Sequence, residues 1–446
     1  SKRLVDVNVE SLTDKDLLWA DMAFIGGMAV QRKSAKKIIA RCNASNLKIV
    51  AGGPLFTSEP DEFEEVDHLV LDEAELTLPA FLSDLQNGRL KKVYRASGFC
   101  DLCDTPTPLW DLVKMKQYAS MNIQFSRGCP FDCEFCNVTA LFGHRPRLKT
   151  PQQITSELNR IYASGWRSSI FFVDDNFIGN KGYLKKQLLP ALIEWRKDKK
   201  GCVFFTEASI NLADDPELLD MMVTAGFDSV FIGIESPDEV SLTECHKTQN
   251  KNRDLLESVA IIHRSGLQVM GGFIVGFDSD RPSIFQRQID FIQKSGIVTA
   301  MVGMLQAPPG TRLFDRLQRE SRVVNTFSGD NVDGTTNIIP RMGIDRLLDG
   351  YQSIMKQIYS PKNYYRRVRT LLKELKVPEV NQPLNIQRFL SIFRSAFRLG
   401  VLGKERFQYW RLMIWTLIRK PRLMSLAITL SIYGYHYRKI CEQYIL

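Results

Sequence analysis

The sequence has no uninterrupted apolar run long enough to cross a bilayer. Its two most apolar stretches, 407–418 and 423–437, fall short of the ~20 residues a spanning helix needs, and the first is broken by Arg411. It has no secretory leader, opening Ser-Lys-Arg-Leu-Val, and no initiator methionine, which points to a fragment whose first segment is missing. The nine cysteines form no regular framework, so a disulfide scaffold is excluded and a reducing, cytoplasmic compartment is expected. No base-reading motif accompanies the basic residues, so no nucleic-acid partner is expected. What remains is an ordinary folded protein, 446 residues long and 44% hydrophobic, with room for two or three domains.

The net charge of +9 is unevenly placed. Residues 361–446 hold 17 Lys+Arg against 4 Asp+Glu, whereas residues 1–360 hold 42 against 46. The basic character belongs to the C-terminal end.

The chemistry concentrates at 124–137, which reads Gln-Phe-Ser-Arg-Gly-Cys-Pro-Phe-Asp-Cys-Glu-Phe-Cys-Asn. Cys129, Cys133 and Cys136 stand at C-x3-C-x2-C spacing. Three thiols in one loop cannot all pair with each other. Three soft ligands from one loop suit a cuboidal iron–sulfur cluster with one iron left open. A structural zinc loop completed by a distant Cys or His, such as His144, is the alternative.

Around this loop the chain alternates strand and helix patterns. Residues 1–90 read as strand–helix–strand with glycines at strand ends, at Gly26-Gly27 and at Gly52-Gly53-Pro54, which predicts an open parallel sheet with a ligand crevice. Residues 91–118, with Pro106 and Pro108, read as a linker. Cys100 and Cys103 there form one isolated C-x2-C pair. Strands are expected at 121–125, 169–174, 203–207, 229–234, 268–275 and 298–306, with helices between them at 152–163, 216–225 and 255–265. Six such units suggest a partial barrel, with catalytic groups at the strand ends. The unusual residues collect there: Asp174-Asp175, Glu207, Glu235-Ser236 and the strand Gly272-Phe273-Ile274-Val275-Gly276. The turn 333–337 is expected either at the surface or over the barrel mouth.

The cysteine triad, with Phe135 just before its third member, resembles the signature of the radical S-adenosylmethionine (radical SAM) enzymes. Segments at 127–131 (Arg-Gly-Cys-Pro-Phe), 172–176 (Phe-Val-Asp-Asp-Asn), 206–215 (Thr-Glu-Ala-Ser-Ile-Asn-Leu-Ala-Asp-Asp) and 272–278 (Gly-Phe-Ile-Val-Gly-Phe-Asp) resemble the hopanoid C-2 methylase group of cobalamin-dependent members. The resemblance implies an α/β fold: a Rossmann-like cobalamin-binding domain, truncated at its start (1–90), a linker (91–118), and a partial (β/α)6 TIM-type barrel (119–320). A barrel-associated segment (321–380) and a basic amphipathic helical tail (381–446) follow. It implies a [4Fe-4S] cluster on Cys129, Cys133 and Cys136, S-adenosylmethionine and cobalamin as cofactors. Phe135 and the strand carrying Gly272, Ile274 and Gly276 would meet adenine, and Glu235 or Ser236 the ribose. Asp174 and Asp175 would lie near the methionine amino group, with Glu207 beside them. Gly52, Gly53, Pro54 and Glu73 would hold cobalamin, without an axial histidine because no Asp-x-His-x-x-Gly motif is present.

The activity so implied is methylation of an unactivated carbon of a lipid or other hydrophobic substrate, with a flavodoxin- or ferredoxin-type electron donor. A cobalamin-binding enzyme that forms or rearranges rings is the alternative. A non-enzymatic membrane-binding protein is the rival from another class. Basic residues flanking Trp, Tyr, Phe and Leu in the tail suit either helices lying on the inner face of an anionic membrane or a helical cap packed on the barrel.

Overall fold

The computed structural model describes residues 1–330, 332–377 and 386–444. The first residues of the expected tail, 381–385, and its last two lie outside the described residues. The chain divides into two compact units, one of residues 1–166 with 306–330 and the other of 167–305 with 331–446.

The first unit holds a four-stranded parallel sheet in sequence order: β1 (Met22–Gly26), β2 (Lys48–Gly52), β3 (His68–Val70) and β4 (Val93–Tyr94). Val50, Val70 and Tyr94 pack with Phe81 of the helix Ala74–Gln86. Ile49, Ala51 and Leu69 pack with Ala35, Ile39 and Cys42, which recur every three to four residues along the helix Arg32–Ala44. A strand covered on both faces needs apolar residues throughout, and Ile49-Val50-Ala51 supplies them. The expected linker 91–118 opens with β4 of this sheet, and only 95–118, around Pro106 and Pro108, is limited to short 3-10 turns. β5 (Ser120–Ile123) then leads into the cysteine loop, whose base is a short antiparallel pair, β6 (Ser126–Arg127) and β7 (Arg147–Leu148).

In the second unit five parallel strands lie side by side in sequence order: β8 (Ser169–Phe172), β9 (Val203–Ala208), β10 (Phe227–Glu235), β11 (Gln268–Val275) and β12 (Ala300–Met304). The observed strands begin and end within two residues of the expected ones. β8 stops at Phe172 because the chain turns through Asp174-Asp175 into the short helix Phe177–Asn180.

Side chains alternate across these strands. On β11, Val269, Phe273 and Val275 are buried, and Phe273 meets Phe291 of the helix Ile284–Ser295. Met270, Gly272 and Ile274 point to the other, half-buried face. That second face is where the unusual residues gather.

Beyond residue 331 the described part of this unit holds five α-helices: Ile344–Ile358, Pro361–Glu374, Ile386–Gly400, Arg406–Arg419 and Met424–Tyr444. Arg367, fully buried, ties them to the sheet by donating to Gln293 Oε1 (2.6 Å) and to the carbonyls of Ile358 (2.8 Å) and Val298 (3.1 Å). Tyr359 donates to the Ala300 carbonyl of β12 and Tyr364 to that of Leu430, both at 2.7 Å. Among the described residues no helix is long and apolar enough to cross a membrane.

Candidate active site

In the first unit, Cys133 is buried and Cys129 and Cys136 are half-buried. The loop is tightly folded at its start. Gly128 has φ +95°, and a Cβ there would lie 2.9 Å from the carbonyl oxygens of Arg145 and Gly143, so only glycine fits. The Cys129 N–H donates to the Gly143 carbonyl (3.3 Å) and that of Cys136 to the Cys133 carbonyl (3.2 Å).

The helix Arg312–Arg319 clasps the loop from outside. Arg316 forks onto Glu134, Nε to Oε1 at 2.7 Å and Nη2 to Oε2 at 3.0 Å, while the Leu313 N–H donates to the Glu134 carbonyl at 3.1 Å. Arg312 pairs with Asp132 at 3.0 Å. Phe135, half-buried, lies between Glu134 and Cys136. The donor set is thus three thiols on one anchored loop, which fits a cluster with one open iron. Among the described residues no group of three or more His, Cys, Asp or Glu is placed to hold a single metal ion. A cuboidal cluster instead sets each thiolate on a different iron.

Behind the loop lies a buried ion network. Arg127 donates to Glu73 Oε1 (3.1 Å) and to both oxygens of Glu75 (2.8 and 3.0 Å). Arg147 binds both oxygens of Glu73 (2.8 and 2.9 Å) and the Cys100 carbonyl (2.8 Å), and the Cys100 N–H donates to Glu73 at 2.7 Å. Burial opposes the charge on Glu75, but the hydrogen bonds from Arg127 outweigh it and hold the carboxyl at about 2. Glu73 is likewise held below its usual range, against burial, by Arg147, the Cys100 N–H and Arg127. Burial and the Glu75 charge push the Cys100 thiol up to about 11, the opposite of what a thiolate metal ligand needs. Cys103 is exposed.

At the C-terminal edge of the four-stranded sheet, Gly26-Gly27 and Gly52-Gly53 present backbone in place of side chains. The Leu55 N–H joins the two ends by donating to the Gly27 carbonyl at 3.0 Å. Pro54 opens the short helix Pro54–Ser58. A Cβ on Gly26 would meet nothing within 4 Å. A Cβ on Gly52 would lie 2.4 Å from the Val70 carbonyl oxygen, so β3 packing itself requires that glycine, and the open backbone is at Gly26. The sheet's one histidine, His68, starts β3 at the opposite end.

In the second unit, the half-buried sheet face carries Phe171 stacked on Phe205 (4.6 Å), Glu207 opposite Phe231, Gly233 opposite Gly272, and Ile274 opposite Gly303. Glu235 ends β10 with φ +60° beyond a register shift. Its carboxylate turns back over Gly233, where Lys247 Nζ meets Oε1 at 2.8 Å. A Cβ on Gly233 would overlap both groups, at 2.2 Å from Glu235 Oε1 and 2.8 Å from Lys247 Nζ. Asn250 holds this end by donating to the carbonyls of Gly233 (3.0 Å) and Ile234 (2.9 Å). Gln288 bridges the carbonyls of Glu235 (2.9 Å) and Ile274 (3.0 Å).

Ser236 is fully buried and its Oγ accepts from the Asp238 N–H. The Gly276 N–H donates to Asp280 at 2.8 Å. Asp174 is buried and Asp175 half-buried. Burial, reinforced by the charge of Asp175 and opposed by Lys247, raises the Glu207 carboxyl to about 7. Glu207, Gly272 and Ile274 therefore share one sheet face, and Glu235 closes its edge. Sequence reasoning missed Lys247, Asn250 and Gln288, which lie in a loop and a helix that no local pattern marks. In the 333–337 turn, Thr336 donates to the Leu305 carbonyl at 2.6 Å, tying the turn to the end of β12.

An α/β protein with three thiols on one anchored loop is built to carry an iron–sulfur cluster. Residues 123–292 match the family described as Radical SAM superfamily, and 311–445 one described as a domain of unknown function (DUF4070). An uncharacterized methyltransferase of Synechocystis is 39% identical over 99% of this chain and 84% of its own length. The hopanoid C-2 methylase of Rhodopseudomonas palustris is 33% identical over 94% of this chain and 81% of its own. The cobalamin-dependent S-adenosylmethionine radical enzyme OxsB, solved with aqua-cobalamin and S-adenosylmethionine, shares the fold with a TM-score of 0.61 at 16% identity, over 97% of this chain and 77% of that one. The chain belongs to the radical SAM superfamily, in the methyltransferase group of these relatives.

Proposed function

We propose that this enzyme methylates an unactivated carbon of a hydrophobic, hopanoid-like substrate, with a [4Fe-4S] cluster, S-adenosylmethionine and cobalamin as cofactors. When bound, these groups supply the radical that removes a hydrogen atom from the substrate and the methyl group that replaces it. The observation that carries the reading is the three-thiol loop clasped through Glu134 by Arg316.

Each part of the chain has a stated task. Cys129, Cys133 and Cys136 hold the cluster, and Arg316, Arg312 and Leu313 keep the loop in register. Phe135 and the segment carrying Gly272, Ile274 and Gly276 hold adenine. Glu235, steadied by Lys247, or Ser236 takes the ribose; Asp174 and Asp175 take the amino group, with Glu207 beside them. Gly52, Gly53 and Pro54, at the C-terminal edge of the four-stranded sheet, take cobalamin. Glu73 serves that edge by keeping the segment after β3 fixed to Arg127 and Arg147. A partial barrel of β/α units, a Rossmann-like domain earlier in the chain, and an external ferredoxin- or flavodoxin-type donor complete the reading.

The lipid substrate rests on the 33% identity to the hopanoid methylase. Anaerobic reconstitution with cobalamin, reductant, a hopanoid-containing lipid extract and S-adenosylmethionine labelled in the methyl group tests it. Labelled lipid is expected. Unlabelled ring-closed or rearranged product would replace methylation with the rival chemistry.

A further inference from the structure

The helix Arg406–Arg419 is apolar on two opposite sides. Tyr409, Leu412, Met413 and Thr416 are buried against the other C-terminal helices. Phe407, Trp410, Ile414, Leu417 and Ile418 form a second stripe that faces outward, with Phe407 73% and Ile418 71% exposed. A helix apolar all round is normally enclosed, so the outward stripe calls for a cover. The preceding helix and the turn after it continue the surface: Phe393, Phe397 and Val401, spaced four apart, are all more than half exposed, and Leu402 is 69% exposed. Trp410 joins the two helices by donating Nε1 to the Gly400 carbonyl at 2.9 Å.

Cations rim this surface. Arg369, Arg406 and Arg411 line the groove beside Phe407, Trp410 and Ile414. Arg406 lies over the Phe407 ring at 5.2 Å and Arg369 over Trp415 at 5.0 Å. Arg419 and Arg422 are exposed at the helix end. The acids nearby are spent or remote: Glu405 is buried on Arg438, and Glu442 pairs with Lys439. Of the described acids beyond residue 361, that leaves Glu374 at the end of its own helix.

We propose that this face, Phe393 to Ile418 with its arginine rim, is a docking surface for the headgroup region of an anionic lipid bilayer. The occupant is chosen by complementarity. Apolar and aromatic side chains ringed by arginine match acyl chains beneath anionic headgroups. A second copy of the chain would bring two arginine rims together. No described helix can span, so the contact lies in the interface plane. The surface forms no part of the strand face or the cysteine loop, and the proposal stands whatever the substrate is.

The test is sedimentation of the whole chain with vesicles of phosphatidylglycerol and phosphatidylcholine, against vesicles of phosphatidylcholine alone. Binding is expected to the anionic vesicles only, and to weaken as salt is added. Ile414→Ser with Ile418→Ser, and separately Arg406→Glu with Arg411→Glu, should each reduce it at least roughly tenfold while leaving the circular dichroism spectrum and melting temperature unchanged. Brominated acyl chains should quench the wild type more than Trp410→Phe, which keeps the ring but removes the reporter. Equal binding to neutral vesicles, or binding unmoved by the serine pair, would overturn the proposal. So would a dimer in lipid-free buffer that the serine pair dissolves, since the face would then be a self-interface.

Discussion

Arg316 and Glu134, 182 residues apart, meet through two parallel hydrogen bonds of 2.7 and 3.0 Å. The pair places a rigid guanidinium fork directly before Phe135 and Cys136. A lysine could offer a charge there but not the fork. Arg316→Ala and Arg316→Lys should both keep the fold and lose about 1.5–3 kcal/mol of loop anchoring. Iron content after anaerobic reconstitution and the rate of iron loss to a chelator measure it; both variants should release iron faster than the wild type, alanine the faster of the two.

Cys133→Ala should abolish the visible cluster absorbance and 5′-deoxyadenosine formation together. Cys100→Ala should leave both in place, because burial and the Glu75 charge push its thiol up to about 11. A Cys100 variant that loses iron would put a second site on the chain.

Lys247→Met should strip the cation from Glu235, whose side chain is 9% exposed. Breaking such a pair costs about 3–5 kcal/mol, because it leaves a buried charge uncompensated. Adding Glu235→Gln should restore much of the melting temperature. The double variant should still bind S-adenosylmethionine more weakly than the wild type, as equilibrium dialysis would show.

Glu207 sets a pH dependence with a definite sign. Its carboxyl rises from 4.5 to about 7 on folding, so the folded chain binds that proton more tightly than the unfolded chain. Its contribution to stability is greatest below the unfolded value and is lost as pH rises through the folded one. Glu207→Gln removes the penalty. The variant should gain on the order of 1–3 kcal/mol over the wild type above about pH 7 in cofactor-free protein, and nothing at about pH 4. Thermal melts across that range would show the two curves diverging upward.

Some of this was legible in the sequence because the information is local. The three thiols sit within one loop, and β11 shows its period of two over 268–275, as the structure has it. What was not legible depends on residues far apart in the chain. Lys247 reaches Glu235 from 12 residues away, and Gln288 reaches the same residue's carbonyl from 53. Neither loop nor helix carries a pattern that announces such a partner. The helix Arg406–Arg419 misled differently: apolar residues on two sides read as one continuous run, so only packing separates the buried stripe from the exposed one.

Glu235 itself has a consequence for how this enzyme can change. A left-handed backbone at a non-glycine residue costs on the order of 1 kcal/mol, and glycine or asparagine would adopt it more easily. Against that gain stands the pair with Lys247, whose side chain is 12% exposed, and leaving it without its carboxylate costs about 3–5 kcal/mol. With Gly233 cleared beneath both groups, Glu235 and Lys247 are fixed as a unit. A library selected only for heat resistance should keep both residues or change them together.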